Sequence, residues 1–209
     1  MANKDPAVCL PTIIIIEDHP LLRDGLVSFL EGTGRWKVIG AASNIEEAKN
    51  ILLNAAADIL LLDIQLEDGL GFSIVPWLKS QKKNKKSMPV IAVYSAFDDF
   101  VHVSAALSIG AKVYMCKRRS VNELEQALLK ALDGKTCIDD TVQSKLDIVT
   151  DLFCLLTKRE AQILTMVNSG LSDKQIAQQL GISPRTVQNI VYCIFDKTGI
   201  RSRVELQKL

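Results

Sequence analysis

Five polar residues stand where four aliphatic runs end, and their types describe one chemistry. Glu17 and Asp18 close Ile13–Ile14–Ile15–Ile16, and Asp63 closes Ile59–Leu60–Leu61–Leu62. Ser95 closes Val90–Ile91–Ala92–Val93–Tyr94, and Lys117 follows Val113–Tyr114–Met115–Cys116. Three carboxylates brought within a few ångström raise one another's pKa unless a counter-charge joins them. A hard divalent ion, Mg²⁺ or Mn²⁺, meets that need through oxygen ligands and retained waters. Lys117 adds a second positive charge and Ser95 a hydroxyl donor. Such a group suits a carboxylate that accepts a phosphoryl group, with Asp63 as the nucleophile. A single acid at a strand end would read as a helix cap. Acids, hydroxyl and ammonium on four strand ends read as a site.

The elements that must position these residues are legible as well. Thr12–Ile16, Trp36–Ala41, Ile59–Leu62, Val90–Tyr94 and Val113–Cys116 are short, nearly continuous apolar runs. Runs of that kind are strands of a parallel sheet buried on both faces. Helical patterns lie between them at Leu21–Leu30, Ile45–Ala55, Phe72–Leu78 and Asp98–Ser108. Another follows at Val121–Leu132, capped by Ser120 and closed by Gly134. The expected fold is α/β: a (βα)₅ doubly wound parallel sheet over residues 1–134, its strand ends gathered at one edge. Residues 135–150 lose the periodicity and read as a linker. Residues 151–209 carry only helical signals.

Composition narrows the function classes. The chain has 209 residues, 48% of them hydrophobic, enough for packed cores. No apolar stretch approaches the ~20 residues that span a bilayer, and Met1 to Pro11 lacks a secretory h-region. Five scattered cysteines form no C-x-x-C pair, which predicts neither a zinc site nor a disulfide framework. A cytoplasmic protein without a membrane partner is expected. Residues 151–209 hold eight Lys/Arg against five Asp/Glu, whereas residues 1–136 hold sixteen of each. A modestly positive tail permits an anionic partner. The run Lys82–Lys83–Asn84–Lys85–Lys86 reads as a solvated turn.

Ile16–Glu17–Asp18–His19–Pro20, Leu62–Asp63–Ile64–Gln65–Leu66, Tyr94–Ser95–Ala96 and Gly110–Ala111–Lys112–Val113–Tyr114–Met115–Cys116–Lys117 resemble the receiver domain of two-component response regulators. The resemblance implies that Asp63 is the phospho-acceptor. It implies a metal held by Glu17, Asp18, Asp63 and the backbone carbonyl of Gln65. Ser95, the backbone N–H of Ala96 and Lys117 would bind the phosphoryl oxygens, and Tyr114 would be the switch aromatic. Two departures stand out. Glu67 replaces a frequent Pro four residues after the acceptor and adds negative charge nearby. Arg118 replaces a Pro after the lysine, so a trans bond is expected.

In the helical region, Thr157 with Glu160 forms a capping box, and Ile163, Leu164 and Val167 form a stripe behind it. Ser172 caps a second helix, Gly181–Ile182 makes a turn, and Ser183–Pro184 starts a third. Two short helices about a Gly turn make a helix-turn-helix, whose second helix can enter the major groove. The segments Leu156–Thr157–x–Arg159–Glu160, Ser172–Asp173–Lys174–Gln175–Ile176–Ala177, Ile182–Ser183–x–x–Thr186–Val187 and Lys197–Thr198–Gly199–Ile200–Arg201–Ser202–Arg203 resemble the LuxR-type DNA-binding domain. A receiver followed by this domain is the NarL/FixJ architecture. The resemblance implies contacts to double-stranded DNA from Lys174, Arg185, Thr186, Gln188, Asn189 and Tyr192. It also implies a cognate sensor histidine kinase and an active homodimer formed through Ser202–Leu209. Gln188 and Ile190 stand where the family usually carries Lys or Glu and a histidine. Weaker phosphate attraction is expected, with adenine readout by the amides, and Ile190 either packs inward or meets a thymine methyl.

Two other function classes share parts of this pattern. An aspartate-dependent phosphatase would resemble D-x-D, but Gln65 stands two residues after Asp63. A phosphorylation-independent regulator or protein-interaction module would use the same fold without the pocket. The complete set of pocket residues favours the phosphorylated regulator, no enzyme beyond its own phosphoryl acceptance and hydrolysis.

Overall fold

The computed structural model describes residues 9–81, 88–144, 146–147, 155–200 and 202–206. The basic run at 82–86 and the end of the last predicted helix, 207–209, lie outside them. The chain divides into two compact units, Met1–Asp139 and Asp140–Leu209.

In the first unit, β1 (Thr12–Ile16), β2 (Lys37–Ala42), β3 (Ile59–Leu62), β6 (Val90–Ser95) and β7 (Ala111–Cys116) are the five expected strands. They pair in parallel in the order β2-β1-β3-β6-β7, and β8 (Cys137–Ile138) adds a sixth strand beside β7. Aliphatic residues on both sides of β1 and β3 are buried, because helices cover both faces. Ile13, Ile15, Ile59, Leu61, Ala92 and Val113 pack on one side with α1 (Pro20–Gly32) and α5 (Val121–Leu132). Between the strands, α2 (Ile45–Asn54), α3 (Ile74–Ser80) and α4 (Phe100–Ser108) complete the winding. The α/β, doubly wound fold is as expected.

Two features add to that expectation. Residues 137–138, assigned to a linker by their missing periodicity, pair with Val113 and Tyr114. Asp139 follows, buried, its N–H donating to the Tyr114 carbonyl at 2.8 Å. After Asp63 the chain forms a small hairpin, β4 (Gln65–Leu66) with β5 (Gly69–Leu70). Asp68 in its turn accepts from the Ile45 N–H at 2.9 and 3.1 Å, fastening the hairpin to the start of α2.

The second unit packs α6 (Lys158–Asn168), α7 (Asp173–Leu180), α8 (Pro184–Thr198) and α9 (Arg203–Leu206). Ile163, Leu164, Val167, Ile176, Val187, Val191 and Ile194 form its core. Residues 140–144 are also helical. Capping boxes start α6 at Thr157 and α7 at Ser172. Gly181 ends α7 with φ 64°, a left-handed turn that β-carbon sterics disfavour.

Candidate functional site

Because β1, β3, β6 and β7 run parallel and in register, Ile16 lies beside Leu62, Leu62 beside Val93, and Val93 beside Tyr114. The residues that follow must meet at one edge. Glu17 and Asp63 are buried there although both are acidic. Lys117 reaches between them: Nζ stands 2.6 Å from Asp63 Oδ2 and 2.8 Å from Glu17 Oε2. Burial pulls the Lys117 ammonium pKa down, but hydrogen bonds to Asp63 and Glu17 outweigh it, and the net shift is upward. The ammonium therefore stays charged.

Asp63 Oδ1 accepts from the Ile64 N–H at 2.6 Å, which fixes the carboxylate plane. Gly71 holds the backbone here. A Cβ on it would stand 2.1 Å from the Asp63 carbonyl oxygen, so no other residue fits without displacing the main chain. Asp18 Oδ1 is buried and has no hydrogen-bond partner. His19 Nδ1 is 2.9 Å away and is hydrogen-bonded to Glu17 Oε1 at 3.0 Å. Ligand atoms of Glu17, Asp18, His19 and Asp63 all lie within 4.8 Å of one another. An orphaned buried carboxylate oxygen beside two further acids fits a hard divalent cation.

A cleft of about 740 Å³ opens over this cluster, and Gln65, Glu67, Ala96 and Phe97 line it with the acids. Glu67 thus brings its extra carboxylate to the cleft wall, as its sequence position implied. Ser95 is fully buried, and its Oγ accepts from the Phe97 N–H at 3.5 Å. Tyr114 is fully buried, and its hydroxyl donates to the Phe97 carbonyl at 2.8 Å. Burial pushes the Tyr114 phenol pKa upward, so it remains a donor. The expected receiver residues are therefore adjacent, with Ser95 and Tyr114 joined through Phe97.

Sequence reasoning passed over three groups. His19 adjoins the acids and precedes Pro20, a signal that was available. Tyr94 donates to the Arg119 carbonyl at 3.1 Å, and Arg119 holds Asp139 through two hydrogen bonds at 2.8 and 3.0 Å. Glu125 is fully buried on α5, accepting from Trp36 Nε1 at 3.1 Å and from Arg35. Those partners lie 89 and 90 residues away in the chain, so no local pattern announces them.

In the second unit, Ser183 caps α8 by accepting from the Thr186 N–H at 3.0 Å, and Pro184 sits at the first turn. Val187, Val191 and Ile194 turn inward, and Ile190 packs against the same core. Ile190 is half-buried and packs inward, the first of the two expectations for it. Arg185, Thr186, Asn189 and Tyr192 are exposed, Gln188 is half-buried, and Lys174 is exposed on α7. Arg185 Nη1 is 3.4 Å from Gln188 Oε1. The exposed face also carries Asp196, whose charge opposes a phosphate backbone.

The chain matches two family models: the response regulator receiver domain over residues 13–129, and the bacterial regulatory proteins of the luxR family over 155–209. It is 29% identical to the nitrate/nitrite response regulator NarL of Escherichia coli (strain K12), covering 98% of this chain and 95% of NarL. It is 28% identical to the transcriptional regulatory protein YdfI of Bacillus subtilis (strain 168), covering 92% of each. Its fold is similar to RcsB, solved as two dimers bound to two parallel DNAs: TM-score 0.71, 21% identity, covering 95% of this chain and 97% of RcsB.

Proposed function

From a chain that belongs to the two-component response regulators, with a receiver and a LuxR-type DNA-binding domain, we propose a transcription regulator switched at Asp63. The observation that carries the reading is the convergence of Glu17, Asp18, Asp63 and Lys117 at one sheet edge.

Asp63 is the acceptor. One of its carboxylate oxygens attacks the phosphorus of a phosphohistidine on a sensor kinase. The O–P bond forms as the N–P bond breaks, and the imidazole, already protonated on its other ring nitrogen, leaves as the neutral ring. Glu17, Asp18, Asp63 and the Gln65 carbonyl would hold Mg²⁺ or Mn²⁺, which supplies charge neutralisation for the transferring group when bound. Lys117 supplies a second cation, positioned by Glu17 until the phosphoryl group arrives. Ser95 and the Ala96 N–H donate to its oxygens, and Ser95 gives up its contact with the Phe97 N–H to do so. Phe97 also receives the Tyr114 hydroxyl, so its movement carries the change to Tyr114. Hydrolysis of the acyl phosphate resets the pocket.

In the output domain, α8 enters the major groove. Arg185 and Lys174 face phosphates, Thr186 and Tyr192 flank them, and Gln188 and Asn189 read adenine edges. With few cations on this face, dimerisation supplies the missing affinity through effective concentration. The chain works in the cytoplasm, and no helix among the described residues is long and apolar enough to cross a membrane.

Incubation with Mg²⁺ and acetyl phosphate should add one phosphoryl group by mass, and should raise the sedimenting mass and DNA affinity together. Asp63→Asn should accept none. Labelling of that variant at the wild-type level would overturn the assignment.

A further inference from the structure

Lys117 and Arg119 leave β7 on one turn and reach opposite ends of the first unit's machinery. Lys117 Nζ stands 2.6 Å from Asp63 Oδ2. Arg119 grips Asp139 with a fork, Nε to Oδ2 at 2.8 Å and Nη2 to Oδ1 at 3.0 Å. Asp139 is 3% exposed and is the last residue of the first unit, and Asp140 opens the second. We propose that the Arg119–Asp139 pair is a release clasp, closed while Lys117 holds Asp63 and opened when Lys117 moves to a phosphoryl oxygen. The inference rests on the reading of Asp63 as the phospho-acceptor, and adds the route by which a change there leaves the first unit.

Three sets of contacts carry it. First, the turn that bears both cations is tied to its neighbouring strand at each step. The Lys117 N–H donates to the Ser95 carbonyl at 2.8 Å, the Arg119 N–H to the Cys116 carbonyl at 2.9 Å, and the Tyr94 hydroxyl to the Arg119 carbonyl at 3.1 Å. As Lys117 is drawn to the phosphoryl group, the turn follows and Arg119 with it. Second, Tyr114 joins the same two ends. Its hydroxyl donates to the Phe97 carbonyl at the cleft wall at 2.8 Å, and its own carbonyl accepts from the Asp139 N–H at 2.8 Å. Third, the segment that the clasp holds has little else to hold it. Cys137 and Ile138 pair with Val113 and Tyr114, and a strand of that length is below the usual minimum of about three residues.

The pair has two states rather than a graded response. A guanidinium–carboxylate fork needs both of its bonds aligned, and a buried carboxylate that loses its cation is costly until water reaches it. The clasp is therefore either closed and dry or open and hydrated. Arg119 Nη1 already stands 3.4 Å from Glu123 Oε1, so the opened guanidinium has a second carboxylate within reach. An element with two such states can be biased from the pocket and read by the chain that follows it.

The test uses the full-length protein with Mg²⁺ and acetyl phosphate. Mass reports phosphoryl uptake, and hydrogen exchange is followed in peptides covering 135–144. In the wild type, uptake of one phosphoryl group should speed exchange there about tenfold, a usual size for coupling between linked sites. Asp139→Asn removes the charge and keeps the shape. It should take up the phosphoryl group, exchange at the fast rate before treatment, and change by less than about twofold after it. Arg119→Lys keeps the charge and loses the fork. It should behave in the same way, and it decides the matter if Asp139→Asn takes up no phosphoryl group. A purely structural tie would speed exchange in the variants but leave the wild type unmoved by phosphorylation. That result overturns the clasp, as does a phosphorylated variant whose exchange still accelerates as the wild type's does. A wild type that takes up no phosphoryl group overturns the Asp63 reading, and the clasp with it.

Discussion

Lys117 and Lys197 do the same thing in the two units: each holds a shielded glutamate within 3 Å. Lys197 Nζ meets Glu160 Oε2 at 2.7 Å, and the other partner of that carboxylate is the Thr157 N–H at 2.7 Å. One cation serves one acid, and the capping box absorbs what remains. Lys117 serves Glu17 and Asp63 together, with Asp18 beside them, its buried Oδ1 making no hydrogen bond. The first arrangement is balanced and fastens the N-terminus of α6 to the end of α8. The second has more negative charge than its own chain neutralises. A buried charge deficit is costly, and it persists where something from outside completes it. The difference between a rivet and a site is therefore a count of charges, not of hydrogen bonds.

The comparison extends to the backbone, where the largest effect is expected. Gly71 and Gly181 each sit beside a functional segment, for different reasons. A Cβ at Gly71 meets the Asp63 carbonyl at 2.1 Å, while one at Gly181 meets nothing but must adopt φ 64°. Gly71→Ala must push main chain from main chain and should cost about 3 kcal/mol, the upper range for overpacking. It should also suppress phosphorylation, since Asp63 moves with its carbonyl. Gly181→Ala should cost only about 1 kcal/mol, the left-handed penalty. Both tryptophans, Trp36 and Trp77, lie in the first unit. Urea unfolding read by their fluorescence should shift strongly for the first variant and scarcely for the second. Equal shifts would mean that the close approach is not binding on the pocket.

Next in size is the balanced pair. Glu160→Gln keeps an acceptor for the Thr157 N–H and removes only the charge facing Lys197. Lys197 is 38% exposed, so solvent screens the pair, and a loss of about 1–2 kcal/mol is expected. Hydrogen exchange in peptides from 155–200 should quicken. The pH dependence has a definite sign. The Lys197 hydrogen bond, helped by the Thr157 N–H, holds the Glu160 carboxyl pKa down to about 2 against an ordinary 4.5. A depressed carboxyl stabilises the fold above its unfolded pKa and loses that contribution on acidification. The gap between wild type and Glu160→Gln should be constant above about pH 5 and close by about pH 2. A gap that widened in acid would show that the pair is not what Glu160 contributes.

These two regions were not equally readable in the sequence. The parallel strands were legible because burial on both faces leaves an uninterrupted aliphatic run, and Glu17, Asp63 and Lys117 were legible as the polar residues that stop one. Ser172 and Thr157 were legible because capping is a contact across three residues. The strand Cys137–Ile138 was not, since two residues cannot show a period, and its partner Val113 lies far upstream. Asp139 looks like a linker residue until Arg119, twenty residues earlier, is placed beside it. Glu125 lies next to the apolar stripe of α5, and the distant Arg35 and Trp36 explain its burial. Periodicity reports which face is covered. It does not report which polar groups have found partners, and in this molecule those partners separate structure from site.

The smallest expected effect has the opposite sign, which makes it the sharpest test of the charge deficit. Asp18→Asn removes one negative charge from three acids that share one ammonium. The change costs no hydrogen bond at Asp18 Oδ1, and only the 2.9 Å approach of His19 Nδ1 is affected. With EDTA present the variant should therefore be more stable than wild type by about 1 kcal/mol, the usual gain when a strained functional group is relieved. With urea slopes of about 1–3 kcal/mol per molar, the fluorescence midpoint should rise by several tenths molar. Mg²⁺ should reverse the ranking. An ion at a hundred times its Kd stabilises the native state by about 2.7 kcal/mol, and wild type should gain that while the variant, missing a ligand, gains little. Glu160→Gln should respond to Mg²⁺ as wild type does, because no such cluster of acids lies among the described residues of its unit. If Asp18→Asn were instead less stable in EDTA, or gained as much from Mg²⁺ as wild type, the acids at the sheet edge would be balanced without an ion. The two lysine pairs would then be rivets of one kind.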